Sequence, residues 1–282
     1  MRNIKIITDS TADLSKELLD KYDISVIPLY VNIGGQSYKD MVDITPLELY
    51  KLVDKYNELP KSSAPPIANF LEVFRKYVNE GYDIIHISIS SNLSSSYQNA
   101  LLASKEFEDG RVYVVDSKNL STGIGQLVIL AADLKEKGLD AKFIYDELIK
   151  TVPKVRSSFI ISTLKYLYMG GRCSSLQMIA GSLLKIHPQI IVENGGMIVG
   201  SKYRGKEEKI LRDFYNDHVG DGAKLRKKRV FVTHSVYDNG AKYLKELLEQ
   251  NLDIDEVLVT HASCVISTHC GPGTVGILYI ED

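Results

Sequence analysis

The sequence is short of cysteine, of net charge and of long apolar runs, and each shortage removes a class of protein. Three cysteines, Cys173, Cys264 and Cys270, make an odd count with no Cys-x-x-Cys spacing, so neither a disulfide framework nor a structural zinc site is expected. The formal charge is −2 at pH 7. Nucleic-acid binders usually present a basic footprint, so no nucleic-acid partner is expected. The basic run Lys224-Leu225-Arg226-Lys227-Lys228-Arg229 is the exception, and is expected to be a solvated loop before the strand-like Val230-Phe231-Val232. No apolar stretch is long enough to span a bilayer. The chain enters a strand-like segment directly at Ile4–Thr8, so no signal peptide is expected and a reducing cytoplasm is the expected compartment.

Familiar catalytic motifs are missing too. There is no GxxxxGK[ST] phosphate loop, no GxSxG nucleophile elbow and no HExxH pair among the six histidines. A metal is therefore not expected.

What remains is an alternation of strand-like and helix-like segments from Asn3 to about Lys137, which implies crossovers and a parallel sheet. The stretch Thr151-Val152-Pro153-Lys154 marks a boundary, giving an α/β domain over residues 1–152 and a smaller α+β domain over 153–282. In the second, Gln189 to Val199 forms a hairpin around Asn194-Gly195, so a mixed sheet is expected. Ser25–Ile33 is expected as one strand, Lys61–Pro66 as a loop, and His269 as held on a turn before the final strand.

Ligands of open parallel sheets lie beyond the carboxyl ends of the strands. Three hydroxyl-rich turns are expected to line that crevice: Thr8–Thr11, Ser90–Ser96 and Asp116–Ser117, with Ser62 and Ser63 on a further loop. Residues 88–100, SISSNLSSSYQNA, hold six serines before a helix and no Lys or Arg. A helix N-terminus offers free N–H groups to an anion, and short serines add donors. Serines also cap helices and build turns without any ligand. Ser94 or Asp9 with His269 as base would be a hydrolase or phosphotransferase arrangement. Asp9 and Asp116 could form an acid/base couple or anchor loops. Gly170 and Gly171 end a helix.

ITDSTADL (7–14), KSSAPP (61–66), SSNLSSSYQNA (90–100), VDS (115–117), YMGGR (168–172) and HCGPGTVG (269–276) together resemble the DegV family of fatty-acid-binding proteins. The resemblance implies a ligand cleft between two lobes, one long-chain fatty acid such as palmitate as ligand, no other cofactor and no catalytic residue. It places the carboxylate at Ser62 and Ser94, with Ser63 and Ser95 beside them and His269 approaching. Arg172 resembles a rim arginine that works with a partner, which in some members is a fatty acid kinase subunit. Ser95 and Ser96 stand where Gly and Thr are usual, Ala64 where Gln is frequent, and His187 where Lys precedes Pro. About 14 buried methylenes at about 0.8 kcal/mol each would supply ~11 kcal/mol before association costs. The tail is expected along apolar residues of the second domain, namely Ile160, Leu164, Leu167, Met178, Ile179, Leu183 and Leu184.

Overall fold

A computed structural model describes residues 2–173, 186–222 and 224–282. Its first layer is a four-stranded parallel sheet in the order β2-β1-β6-β7, built from β1 (Ile4–Asp9), β2 (Ile24–Ile27), β6 (Asp83–Ser88) and β7 (Val112–Asp116). β1 is buried at every position, as continuous apolar runs are in sheets covered on both faces. One face carries α3 (Ile67–Asn79), whose Phe70 and Phe74 lie four residues apart and are fully buried.

The chain between β2 and β6 departs from the single expected strand. Pro28 lacks an N–H, and the segment divides into β2 and β3 (Tyr30–Ile33). β3 pairs antiparallel with β4 (Gln36–Lys39) and with β5 (Lys61–Ser63), making a small sheet of its own. Lys61–Ser63 is thus a strand where a loop was expected. α2 (Pro46–Tyr56) connects them, opened by a Thr45–Glu48 capping box with Pro46 in the first turn.

After α4 (Ser96–Ser104) and β7 comes α5 (Thr122–Glu136), buried nearly all round. A helix apolar on every side must be covered on every side. α5 touches β1 and β6 on one side and β8 (Val155–Ile160), β11 (Leu225–Ser235) and β13 (Thr274–Glu281) on the other. α6 (Ala141–Thr151) follows, capped by Asp140.

The second sheet is mixed, in the order β10-β9-β8-β13-β11-β12, with β9 (His187–Glu193), β10 (Gly196–Tyr203) and β12 (Glu256–His261). β11 and β12 run parallel and the other neighbours antiparallel. α8 (Glu207–His218) and α9 (Asp238–Asn251) cover its outer face. The architecture is mixed α/β, with a parallel sheet and a separate mixed sheet, as expected. The basic run is not a loop: Leu225 onward belongs to β11, where Lys228 meets Asp133 at 2.6 Å and Arg229 meets Glu256 at 2.8 Å. Two short helices, α7 (Lys165–Gly170) and α10 (Cys264–Cys270), border the space between the sheets. Among the described residues no helix is long and apolar enough to cross a membrane.

Candidate functional site

A cavity of about 290 Å³ lies between the two sheets. Its floor is the inner face of the mixed sheet. Gly276 of β13 pairs with Phe159 of β8 and Thr233 of β11, and Thr274 and Leu278 fall on the same face by the two-residue period of a strand. Ile89, Leu93 and Leu120 close it from the parallel-sheet side, and Met197 and Leu167 from the flanks. Its polar lining includes Ser62 and Ser63 of β5, Ser94 and Ser95 of the serine turn and His269 in the last turn of α10.

Ser62 Oγ and His269 Nε2 are 2.7 Å apart. Ser62 is half-buried between exposed Lys61 and Ser63, as alternation along β5 requires. Ser94 Oγ accepts from Ser96 N at 3.2 Å, in the first turn of α4, and its own proton has no acceptor among the described residues. Ser63 and Ser95 also border the cavity. The Ser63 hydroxyl, however, accepts from Asn32 Nδ2 at 3.2 Å, and Ser95 is the N-cap of α4 with no side-chain cap bond. Arg172 lies at the rim, donating from Nη1 to Gly170 O at 2.6 Å.

Burial, and then the charge of Arg172, push His269 down to about 4, so the ring is neutral at pH 7. It sits in the last turn of α10 rather than on a connecting turn. Its partner is Ser62, not Ser94 or Asp9. Among the described residues its buried Nδ1 has no hydrogen-bond partner, so none of their carboxylates orients it as the third member of a triad would. Asp9 is committed elsewhere, accepting from Ser88 Oγ at 2.6 Å and Ile89 N at 2.8 Å. Asp116 accepts from Ser91 N and Lys118 N, each at 3.1 Å. Both anchor the serine turn and do not form an acid/base couple.

Of the three hydroxyl-rich turns, only the serine turn reaches the cavity. Thr8, Ser10 and Ser117 are buried and bonded internally. The hydroxyls on the rest of the cavity wall are committed as well. Thr233 Oγ1 bridges Thr122 and Thr260, Ser235 Oγ bridges Tyr50 and Ser267, Thr274 Oγ1 donates to Cys270 O, and Ser121 Oγ lies 2.5 Å from Asp13 Oδ2.

The expected tail positions need correction. Leu167 borders the cavity, but Ile160 points to the outer core of the mixed sheet while its neighbour Phe159 faces inward. Leu164 packs against the core without reaching the cavity. Met178, Ile179, Leu183 and Leu184 lie outside the described residues.

The two glycines after Met169 have different roles. Gly171 is the left-handed C-cap of α7, at φ 66°. Gly170 is helical, and a Cβ there would collide with His269 Nδ1. In an exposed helix, Gly→Ala stabilises by about 0.5–1 kcal/mol. Gly170→Ala should do the opposite, lowering Tm and displacing the ring from Ser62. The His269 titration, followed by NMR, should then move from about 4 toward the ordinary value of 6.5.

The parallel pairing of β11 with β12 sets His234 beside His261, near Asp238. Spacing along the sequence could not show this grouping. It does not suit a metal: Tyr237 N donates to His234 Nδ1 at 3.0 Å. The ring proton therefore sits on Nε2, the atom facing Asp238 Oδ1 at 3.8 Å, where a metal would need a lone pair.

A family model described as "Uncharacterised protein, DegV family" matches residues 3–282. The chain belongs to the DegV family. A DegV domain-containing protein of Clostridium acetobutylicum is 35% identical to it over 282 residues, covering 100% of this chain and 99% of the relative. A Thermotoga maritima relative named a fatty acid-binding protein is also 35% identical, over 97% of this chain and 96% of its own. Among solved structures, a fatty-acid-binding DegV family protein from Thermus thermophilus aligns with a TM-score of 0.92 at 32% identity, covering 100% of both chains. DegV of Bacillus subtilis, described as a fatty acid binding protein, aligns with a TM-score of 0.85 at 29% identity over 100% of both. These DegV structures share the pairing of a parallel sheet with a mixed one.

Proposed function

We propose that this DegV-family chain binds one long-chain fatty acid, with its carboxylate at Ser62, Ser94 and His269 and its tail along the inner face of the mixed sheet. The observation that carries the proposal is the distribution of polar groups. The cavity wall is largely apolar, its other hydroxyls are bonded internally, and among the described lining residues Ser62 and Ser94 keep uncommitted donor capacity. In the Nε2–H tautomer of the neutral ring, His269 donates to Ser62 Oγ and leaves the serine proton for a carboxylate oxygen. The relatives named or described as fatty acid-binding support the same ligand.

No cofactor is called for. Ser62 and His269 have the separation of a nucleophile and its base, but among the described residues Nδ1 lacks the orienting partner of a triad, which favours binding over catalysis. Presentation of the carboxylate to a kinase subunit belongs to the proposal as its outermost step, with Arg172 at the exposed rim as the contact.

Denaturing extraction of the purified protein followed by mass spectrometry should release a long-chain fatty acid, and lipid-free protein should take up palmitate. Absence of both would end the proposal. The double variant Ser62→Ala/Ser94→Ala should fold normally and bind palmitate at least about tenfold more weakly, since each hydrogen bond to a charged group contributes about 1.5–3 kcal/mol before desolvation. Unfolding of that variant would make the serines structural.

A further inference from the structure

We infer that the tip of the β9–β10 hairpin is a clasp that holds the Ser94 turn ready for a carboxylate, with Ser90, Asn92 and Gly195 as positioning residues. The inference rests on the fatty-acid reading above. The base of the serine turn is fixed from its own sheet, by Asp9 and Asp116. Its crown is fixed from the other sheet. Ser90 Oγ donates to Gly195 O at 2.7 Å, with Ser90 fully buried, and Asn92 Nδ2 donates to Asn194 O at 3.0 Å.

The fit is close. Asn194 and Gly195 both have positive φ, at 50° and 82°, as a two-residue Asn-Gly hairpin turn requires. A Cβ on Gly195 would lie 2.7 Å from Ser90 Oγ and 2.9 Å from the Lys118 side chain. From the clasp a short chain of bonds runs to the head group. Ser90 O accepts from Ser94 N at 3.2 Å, and Ser94 Oγ accepts from Ser96 N at 3.2 Å. Moving Ser90 therefore moves the hydroxyl of Ser94. Two residues beyond the tip, Met197 borders the cavity, so one hairpin covers the tail and holds the head-group loop.

The test separates positioning from stability. Ser90→Ala removes the bond, and Gly195→Ala drives a methyl into Ser90. Gly138→Ala is the control, because Gly138 has nearly the same φ, at 78°, with open space around it. Palmitate and the alcohol of the same chain length are titrated into lipid-free protein. Both clasp variants should weaken palmitate about tenfold, the worth of one hydrogen bond to a charged group. The alcohol should bind as it does to the parent, and the control should leave both affinities unchanged. Palmitate affinity within twofold of the parent in both clasp variants would overturn the clasp, as would equal weakening of both ligands. A parent that takes up no palmitate removes the fatty-acid reading itself, a result distinct from a parent that binds and variants that match it.

Discussion

Dodecanoate should bind this chain roughly 200-fold more weakly than palmitate, because it lacks four methylenes worth about 0.8 kcal/mol each on burial. The two acids carry the same head, so Ser62, Ser94 and His269 act equally on both and their contribution cancels in the ratio. The difference comes from the wall. Phe159, Leu278, Leu120 and Met197 offer carbon to a tail, and the hydroxyls among them are closed off by their own bonds. The affinity gained per methylene should hold while the chain lengthens and stop where the tail outgrows the cavity. Displacement of a fluorescent fatty acid by a series of saturated acids would read both the slope and the break. A flat series would mean that the tail lies outside, with the carboxylate alone held at the serines.

Much of this was legible in the sequence, for reasons that differ by residue. The alternation of elements and the Asn194-Gly195 hairpin announced a parallel sheet followed by a mixed one, because local patterning dictates both. The motifs around Ser62, Ser94 and His269 name residues that line one cavity, although which hydroxyls remain free is a tertiary fact. Pro28 is a strand break visible in the sequence, and β2 ends just before it. β8 shows a sharper miss: Phe159 and Ile160 are equally apolar, but only the two-residue period separates cavity from outer core. The tail was expected along apolar residues of the second domain from Ile160 to Leu184, whereas the described floor is strand. A buried strand face and a buried helix face look alike in composition. The six serines of residues 88–100 answer their own puzzle in part. Ser88 and Ser90 are structural anchors, Ser94 has a proton to give, and Ser95 sits at a helix cap. Gly170 carried no sequence signal beyond that of a helix end, since its reason is the His269 ring on a different helix.

Asp13→Asn should remove the share of Asp13 in the loss of stability that the parent shows as pH rises above about 6.5, while Asp40, whose carboxyl burial also raises, keeps its own share. Asp13 is buried in a left-handed backbone conformation at φ 52°, where Oδ1 accepts from Ser263 N at 2.9 Å and Oδ2 meets Ser121 Oγ. Burial first, with Asp40 nearby adding to it, pushes its carboxyl up to about 8 from an ordinary 3.8. Between those values the fold keeps a proton that the unfolded chain has lost, so stability falls as pH climbs, by about 1.4 kcal/mol per pH unit where the difference is one full proton. Below 6.5 the buried histidines oppose this. His218 and His269 are both held down to about 4, so acid charges them in the unfolded chain first, and stability falls as pH drops through 6.5 toward 4. The parent should therefore be most stable near pH 6.5. Asparagine keeps the geometry: its carbonyl accepts from Ser263 N, its amide donates to Ser121 Oγ, and it tolerates the left-handed backbone. Urea unfolding at pH 6.5 and pH 8 should show the variant gaining about 2 kcal/mol on the parent between the two. Below pH 6.5 it should lose stability more steeply, because the compensating proton on Asp13 is gone. Parallel curves for the two proteins above pH 6.5 would mean that Asp13 is ionised in the fold, with Ser121 and Ser263 both donating to a buried anion.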